Sequence, residues 1–567
     1  MSQEGTSRTD GSLFGEDSVD GFVHRAFLRG SGRSGEEVRT RPVIGICSSW
    51  SELNPCNAGL GTLAESVKRG VLAAGGLPLV FPTISISEPF VRPTSMFLRN
   101  LMAIDVEQMV VSSPIDAVVL LGGCDKTIPA QIMGALSAGK PAIVLAAGPR
   151  PVGRWNGAPL TVDDLWPMAA KRRRGELSDE DWQRLEGCLN GGVGTCNVMG
   201  TATTMAAIAE VLGLALPNST LLPATGSERQ AAGVRTGGRA VELAREGRPP
   251  ADVVTAEAIE DAFRLVCAIG GSTNAVIHLA AIAGRAGVRF GRDDLAAWSE
   301  STPLLADVRP SGPFLLEDLA GAGGIPAVVK ELAPVLHLDR PTAAGSTWAA
   351  EVAGVTAVTG TALRPFADPV AGGGALVMLS GNLAPDGAVI KRSAMDSALL
   401  KHSGRATVFD GVRDMRARID DPELDVDANS VLVLRGVGPK GGPGMPEVGH
   451  VPIPAKLAKA GVHDMVRISD GRMSGTSDGA VVLHVAPEAA AGGPLALVRD
   501  GDLIELDVEA GRLELVVSEE ELLLRGKEFV PPLPPVRGYE LLYHQHVTQA
   551  PEGCDFDFLR LPEPTDV

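Results

Sequence analysis

The stretch DAVVLLGGCDKTIPAQIMGALSAGKPAIVLAA (116–147) sets two short, aliphatic-rich runs on either side of a helical pattern. Residues 116–121 read as a strand, 128–137 as a helix and 142–147 as a strand again. A strand–helix–strand unit of this length joins parallel strands, because a tight hairpin has no room for the helix. Upstream, 43–47 and 77–82 read as strands flanking a helix at 60–74, so the alternation continues. Downstream, 201–212, 256–268 and 273–283 read as helices, the last stopping at Gly284. The expected class is α/β, a mainly parallel sheet with helices on both faces.

The texture changes near Gly354. Beyond it, short strand signals at 375–379, 406–409, 430–434 and 503–506 are separated by Gly, Pro and Asp, the pattern of a β-rich barrel or sandwich. The chain is thus divided into an N-terminal arm (1–35, read as mobile), an α/β domain (36–360) and a β-rich C-terminal domain (361–567). At 567 residues, more than one core is expected.

Composition excludes several classes of function. Acidic residues outnumber basic ones, 69 to 51, for a net charge of −18. The one basic run, KRRR at 171–174, reads as a solvated helix surface, so nucleic acid is not an expected partner. No apolar run approaches the roughly 18 residues of a membrane span, and the polar start lacks a signal-peptide pattern. Seven scattered cysteines do not form a disulfide framework, and a reducing cytoplasm is the expected location. Glycine is abundant, at 68 residues, and much of it flanks Cys, Asp, Lys and Ser, where backbone must approach something closely.

Three cysteines stand in such settings: Cys56, Cys124 and Cys196, spaced 68 and 72 residues apart. Close zinc-type spacings are absent. Cys124 and Cys196 each follow glycines and precede a predicted helix, the usual place for sites in open α/β folds. Three thiolates converging from separate loops could hold an iron–sulfur cluster with one iron position open. Spacing alone leaves the alternative of buried structural thiols, which suits Cys47 and Cys267. Cys188 and Cys554 stay unassigned, Cys188 being a rival to Cys196.

Taken together, SELNPCN (51–57), GGCDKTIPA (122–130), GTCNVMGTATTM (194–205), GGSTNA (270–275), GPKGGPGMPE (438–447) and SDGRMSGTSDG (469–479) resemble the family of dihydroxy-acid, phosphogluconate and sugar-acid dehydratases, over about residues 40–560. The resemblance implies an iron–sulfur cluster on Cys56, Cys124 and Cys196. A cysteine in the first motif resembles the 2Fe–2S rather than the 4Fe–4S branch. It also implies Mg²⁺ on Glu88, Asp125, Glu447 and a carbamylated Lys126. Judged by residue type alone, Lys126 is a cation that pairs with Asp125 or a substrate carboxylate, Glu88 a surface carboxylate and Glu447 a loop residue. Carbamylation would turn an ammonium that repels Mg²⁺ into an oxygen donor, the ligand type Mg²⁺ prefers.

Removing water from a 2,3-dihydroxy acid needs a base for the C2 proton, stabilisation of the enolate charge, and help for the departing C3 hydroxyl. No histidine sits in the motifs. The resemblance points to Ser474 as base, with Thr476 as a hydrogen-bonding neighbour; by residue type alone Ser474 is a turn or cap residue. SEPFVRPTSMFLRN (87–100) and YHQHVTQAPEGCDFDFL (543–559) resemble the sugar-acid branch rather than the branched-chain dihydroxy-acid branch. An aldonate substrate, giving a 2-keto-3-deoxy acid, is therefore expected, with His546 a candidate contact to its hydroxyls. GPRPVGRWNG (148–157) departs from the family pattern, which bears on substrate identity. Alternatives are a dihydroxy-acid dehydratase of branched-chain amino-acid biosynthesis, a non-catalytic cluster sensor or scaffold, and a thiol hydrolase using Cys124. The magnesium set and Ser474 argue against a sensor, and the lack of a motif histidine against a hydrolase. Relatives imply a homodimer or homotetramer.

Overall fold

The computed structural model describes residue 14 and residues 16–562. Four parallel strands, β1 (Val43–Ser48), β2 (Leu77–Pro82), β3 (Ala117–Gly122) and β4 (Ala142–Ala146), form a sheet in the order β2-β1-β3-β4. Ile44 lies opposite Ala117, and Val118 opposite Ala142. β1 and β3 are buried along their whole length, which is why they read as continuous apolar runs.

Alternate side chains of β3 enter different cores. Ala117, Val119 and Leu121 pack with the helices Leu60–Ala73 and Ser227–Glu246. Val118 and Leu120 pack with Arg99–Ser112 and Thr127–Ala138 on the other face. Helices thus cover both faces, as the strand–helix alternation requires. Behind the second face lie Thr201–Val211, Ala256–Ala268 and Asn274–Ala286. The last does not stop at Gly284: that glycine is buried inside the helix, and Gly287 (φ +73°) ends it in the left-handed conformation.

The span expected as an arm carries one helix, Val19–Gly30, capped by Ser18; a second, Gly35–Thr40, capped by Ser34 and burying Val38, begins at its last residue. A short hairpin, β5 (Gly153–Trp155) and β6 (Ala158–Leu160), precedes two surface helices, Leu165–Arg174 and Asp179–Cys188. The basic run 171–174 closes the first of these helices, where cations suit the dipole. Arg173 pairs with Asp420.

The C-terminal part is a closed barrel of β7 (Leu376–Gly381), β8 (Ala384–Lys391), β9 (Lys401–Asp410), β10 (Val431–Arg435), β11 (Arg467–Ser469), β12 (Val481–Ala486), β13 (Leu503–Asp507) and β14 (Arg512–Leu515). Its order is β10-β11-β12-β8-β7-β14-β13-β9, with parallel and antiparallel pairs mixed. Residues 363 and 371 pair back onto 306 and 304 of the α/β part. The chain end also returns there: Leu561 N–H donates to Gly284. No described helix is long and apolar enough to cross a membrane.

Candidate active site

Cys56 follows β1 and Cys124 follows β3, so both loops open at the carboxyl edge of the sheet. Cys196 lies in the loop before Thr201–Val211, which is tied to the stretch after β4 by the Thr195 N–H on the Gly148 carbonyl (2.9 Å). Asn57 ties two of them together: its Nδ2 donates to Ser49 O (3.1 Å) and its Oδ1 accepts the Cys124 N–H (3.1 Å). Gly123 is required by close approach, since a Cβ there would press on Ala147 and the Cys56 carbonyl. The Glu88 N–H reaches Cys124 Sγ (3.5 Å), and Arg150 Nη2 reaches Cys56 Sγ (3.6 Å). A hydrogen bond to Cys56, then burial, pushes the Cys124 thiol up. Burial pushes Cys196 to about 12 against the opposing charge of Arg150, with Cys124 and Asp125 close enough to contribute. Cys124 and Cys196 therefore stay protonated unless a cation binds them.

Beside Cys124, Lys126 is fully buried, and its ammonium is ringed by Glu447 (2.6 Å), Glu88 (3.1 Å) and Asp125 (3.4 Å). The pairing with Asp125 read from residue type is present, joined by two further carboxylates. Glu88 accepts from Thr94 Oγ1 (2.8 Å), Ser95 N (3.1 Å) and Ser95 Oγ. Glu447 accepts from Arg472 Nη1 (2.8 Å) and Asn274 Nδ2 (2.9 Å). Burial works to raise Glu88, but Lys126 and Arg472 outweigh it and hold the carboxyl at about 2. Glu447 is raised, because burial, with Glu88 adding to it, overrides the same two cations. Burial opposes the charge on Lys126, yet Glu447 and Glu88 raise it above the usual lysine range. Among the described residues no three His, Cys, Asp or Glu side chains stand at the spacing of a single metal site; the lysine ammonium takes the centre of this ring.

Ser474 stands in the loop between β11 and β12, half-buried. Its Oγ is 2.8 Å from Thr476 Oγ1, and the Thr476 N–H points at the same oxygen (3.3 Å). Gly475 lies against Ser272 and the Thr201 N–H, so this barrel loop is seated on the α/β part. Asn274 joins the two sets, donating to Glu447 and to Met473 O (3.2 Å). The structure thus gathers Glu88, Asp125, Lys126 and Glu447 in one ring, brings the cysteine loops together next to it, and places Ser474 with Thr476 across Asn274.

Cys47 and Cys267 lie in the core. Cys188 ends a surface helix, and buried Cys554 packs its thiol on Met445 Sδ (3.8 Å). His546 pairs with Asp557 (3.0 Å) and packs edge-on against Phe558. Arg472, Asn274 and Arg150 were not singled out by sequence reasoning, although the first two lie inside the quoted motifs. Nor was Trp166, whose indole N–H donates to Thr476 Oγ1 (2.9 Å).

The sequence profiles of the Dihydroxy-acid/6-phosphogluconate dehydratase N-terminal and C-terminal families match residues 41–351 and 361–554. An L-arabonate dehydratase of Azospirillum brasilense is 47% identical, the match covering 96% of each chain. A 6-deoxy-6-sulfo-D-gluconate dehydratase of Pseudomonas putida is 46% identical over 97% of each. A dihydroxy-acid dehydratase of Moorella thermoacetica is 37% identical over 94% of this chain and 97% of its own. With both parts of the chain matched and this likeness running almost end to end, the chain belongs to the dihydroxy-acid/6-phosphogluconate dehydratase family.

Proposed function

We propose that the chain dehydrates an aldonate, a pentonate or hexonate, to the 2-keto-3-deoxy acid. Cys56, Cys124 and Cys196 would hold an iron–sulfur cluster of the 2Fe–2S type, and Glu88, Asp125, Glu447 and carbamylated Lys126 would hold Mg²⁺. The observation that carries this reading is a fully buried lysine amine ringed by three carboxylates, two residues from a buried cysteine.

The donor chemistry fits both groups. Hard carboxylate oxygens suit Mg²⁺, on one condition: a lysine ammonium and Mg²⁺ cannot share the ring. Once the ammonium has given up a proton, the neutral amine can attack CO₂: an N–C bond forms as one C=O π bond opens, a second proton leaves, and what was a cation is a carbamate anion. The three thiols are soft sulfur donors, and burial that disfavours the bare thiolate at Cys124 and Cys196 suits them to a cationic cluster. When bound, these groups would supply Lewis acidity, Mg²⁺ toward the substrate carboxylate and C2 oxygen, the cluster toward the leaving hydroxyl.

The chain's own residues supply the rest. Ser474 Oγ takes the C2 proton, with the Thr476 hydroxyl and N–H directed at it. Arg472 and Asn274 fix Glu447 so that the barrel's carboxylate meets those of the α/β part. The enol left by loss of water then tautomerises to the keto acid. Likeness to the two sugar-acid dehydratases at 46–47%, against 37% for the dihydroxy-acid dehydratase, supports the aldonate reading. A homodimer or homotetramer in a reducing cytoplasm completes the proposal. Exposed Val19, Phe22 and Phe27 on one helix, and Val530, Leu533 and Val536, supply apolar surface for such an assembly.

The test is turnover by anaerobically purified protein with Mg²⁺, on L-arabinonate, D-xylonate, D-gluconate, 6-deoxy-6-sulfo-D-gluconate and 2,3-dihydroxyisovalerate, following keto-acid formation. An aldonate should be preferred. Preference for the branched dihydroxy acid would overturn the substrate class, and protein without visible cluster absorbance would overturn the cofactor assignment.

A further inference from the structure

Trp166 lies on the helix Leu165–Arg174, 310 residues upstream of Thr476. The start of its segment is fixed to the α/β part. Arg309 Nη1 donates to Thr161 Oγ1 and Asp164 Oδ2 (both 2.8 Å), and the Val162 N–H donates to Asn197 Oδ1 (3.2 Å), beside Cys196. The far end is fixed to the barrel part through Arg173 and Asp420 (2.6 Å). The indole ring packs at 6.1 Å from the His450 ring. The tryptophan is thus held between the two parts, with its N–H on Thr476 Oγ1 at 2.9 Å.

An indole N–H can only donate. Among the described residues the Thr476 hydroxyl has two hydrogen-bonding neighbours, Trp166 Nε1 and Ser474 Oγ. Accepting from the first leaves its own proton for the second. Ser474 Oγ then receives two donors, the Thr476 hydroxyl and the Thr476 N–H, while its own proton is turned away from Thr476. That is the arrangement a serine needs to act as a base, because both donors stabilise negative charge on Oγ.

From this we infer that Trp166 is a positioning residue for the base, setting the direction of the Trp166–Thr476–Ser474 hydrogen-bond chain. The inference rests on Ser474 being the base. It also gives the 161–174 segment a purpose beyond covering the surface: docking of the barrel on the α/β part completes the donor chain.

The experiment is a double-mutant cycle on cluster-loaded enzyme with its best aldonate. Trp166→Phe keeps the ring and removes the N–H. It should lower kcat about tenfold, the worth of one well-placed hydrogen bond, with KM unchanged. In a Thr476→Val background the same change should cost nothing further, because the residue it acts through is gone. An unchanged kcat, a rise in KM alone, or an equal loss in both backgrounds would overturn the inference, the last marking a merely structural role. Near-normal turnover by Ser474→Ala would instead sink the assignment of the base, so the two failures are distinguishable.

Discussion

A serine hydroxyl is a weak base in water, and what distinguishes Ser474 is its surroundings. The Thr476 N–H points at its oxygen with the Thr476 hydroxyl 2.8 Å away, and the loop carrying it is held to the α/β part through Gly475 and Asn274. Ser474→Ala removes the proposed base but no contact that holds the carboxylate ring or the cysteine loops. Turnover should fall by about three orders of magnitude or more, with visible cluster absorbance and Mg²⁺ affinity unchanged; loss of the absorbance would show the serine to be structural. Much of this site was legible as text, because Cys124, Asp125 and Lys126 are neighbours in one motif. Arg472 and Asn274 lay in quoted motifs, yet their task is to reach Glu447 from other segments. Trp166 carried no local signal at all, since its partner lies 310 residues away. Such pairings depend on tertiary placement, which periodicity and residue type do not encode.

At the scale of elements, strands buried on both faces were read within a residue or two, since continuous β-branched runs admit little else. The long helix Ser227–Glu246 went unread because glycines and charged residues interrupt its apolar stripe. Those glycines have a use: at Gly237 a Cβ would fall inside the Val67 carbonyl of the neighbouring helix, so the two backbones touch. Gly237→Ala should therefore cost about 1–3 kcal/mol despite its better helix propensity, read as a lower denaturation midpoint; an unchanged midpoint would mean the helices part freely. Four of the barrel's eight strands, β7, β9, β10 and β13, were foreseen, but not the other four or the closure order, which is fixed by non-local pairing. Buried histidines give the fold a pH dependence. Burial, aided by Arg467 for His450 and by Arg472 for His484, depresses both to about 3, and burial with Arg99 lowers His278. They are neutral in the fold but protonate near 6.5 once unfolded, so the unfolded state binds more protons as pH falls below 6.5. Stability should drop through that window toward about 3, by about 2 kcal/mol at pH 5 for each of His450 and His484, with His278 acting in the same direction. Melting temperatures between pH 7 and 5 check this, and His450→Gln should flatten the slope.

For the whole molecule, the site exists only while the two parts stay in register, because Glu88, Asp125 and Lys126 come from one and Glu447 and Ser474 from the other. The returning chain end helps to hold that register. On the barrel side Gln549 exchanges hydrogen bonds with Glu488, donating to its carboxylate (2.9 Å) and accepting its N–H (2.9 Å). On the α/β side Arg99 Nη2 donates to the Gly553 and Cys554 carbonyls (2.8 and 2.9 Å). There Arg285 also grips Asp555 (2.6 Å), with both side chains fully buried. A buried pair adds little net stability, yet removing one partner strands the other charge in the core, at a cost of about 3–5 kcal/mol. Asp555→Ala should show most of that loss, softened by Glu107 at 3.7 Å and the Ser137 hydroxyl, which also contact Arg285. The chain end should then become open to proteolysis, and turnover should fall through misalignment of Glu447 with Lys126. Replacing both partners together, Arg285→Met with Asp555→Leu, should recover much of the midpoint, because no charge is left unpaired. If Asp555→Ala melts and turns over like the parent, the Arg285–Asp555 pair takes no part in holding the register.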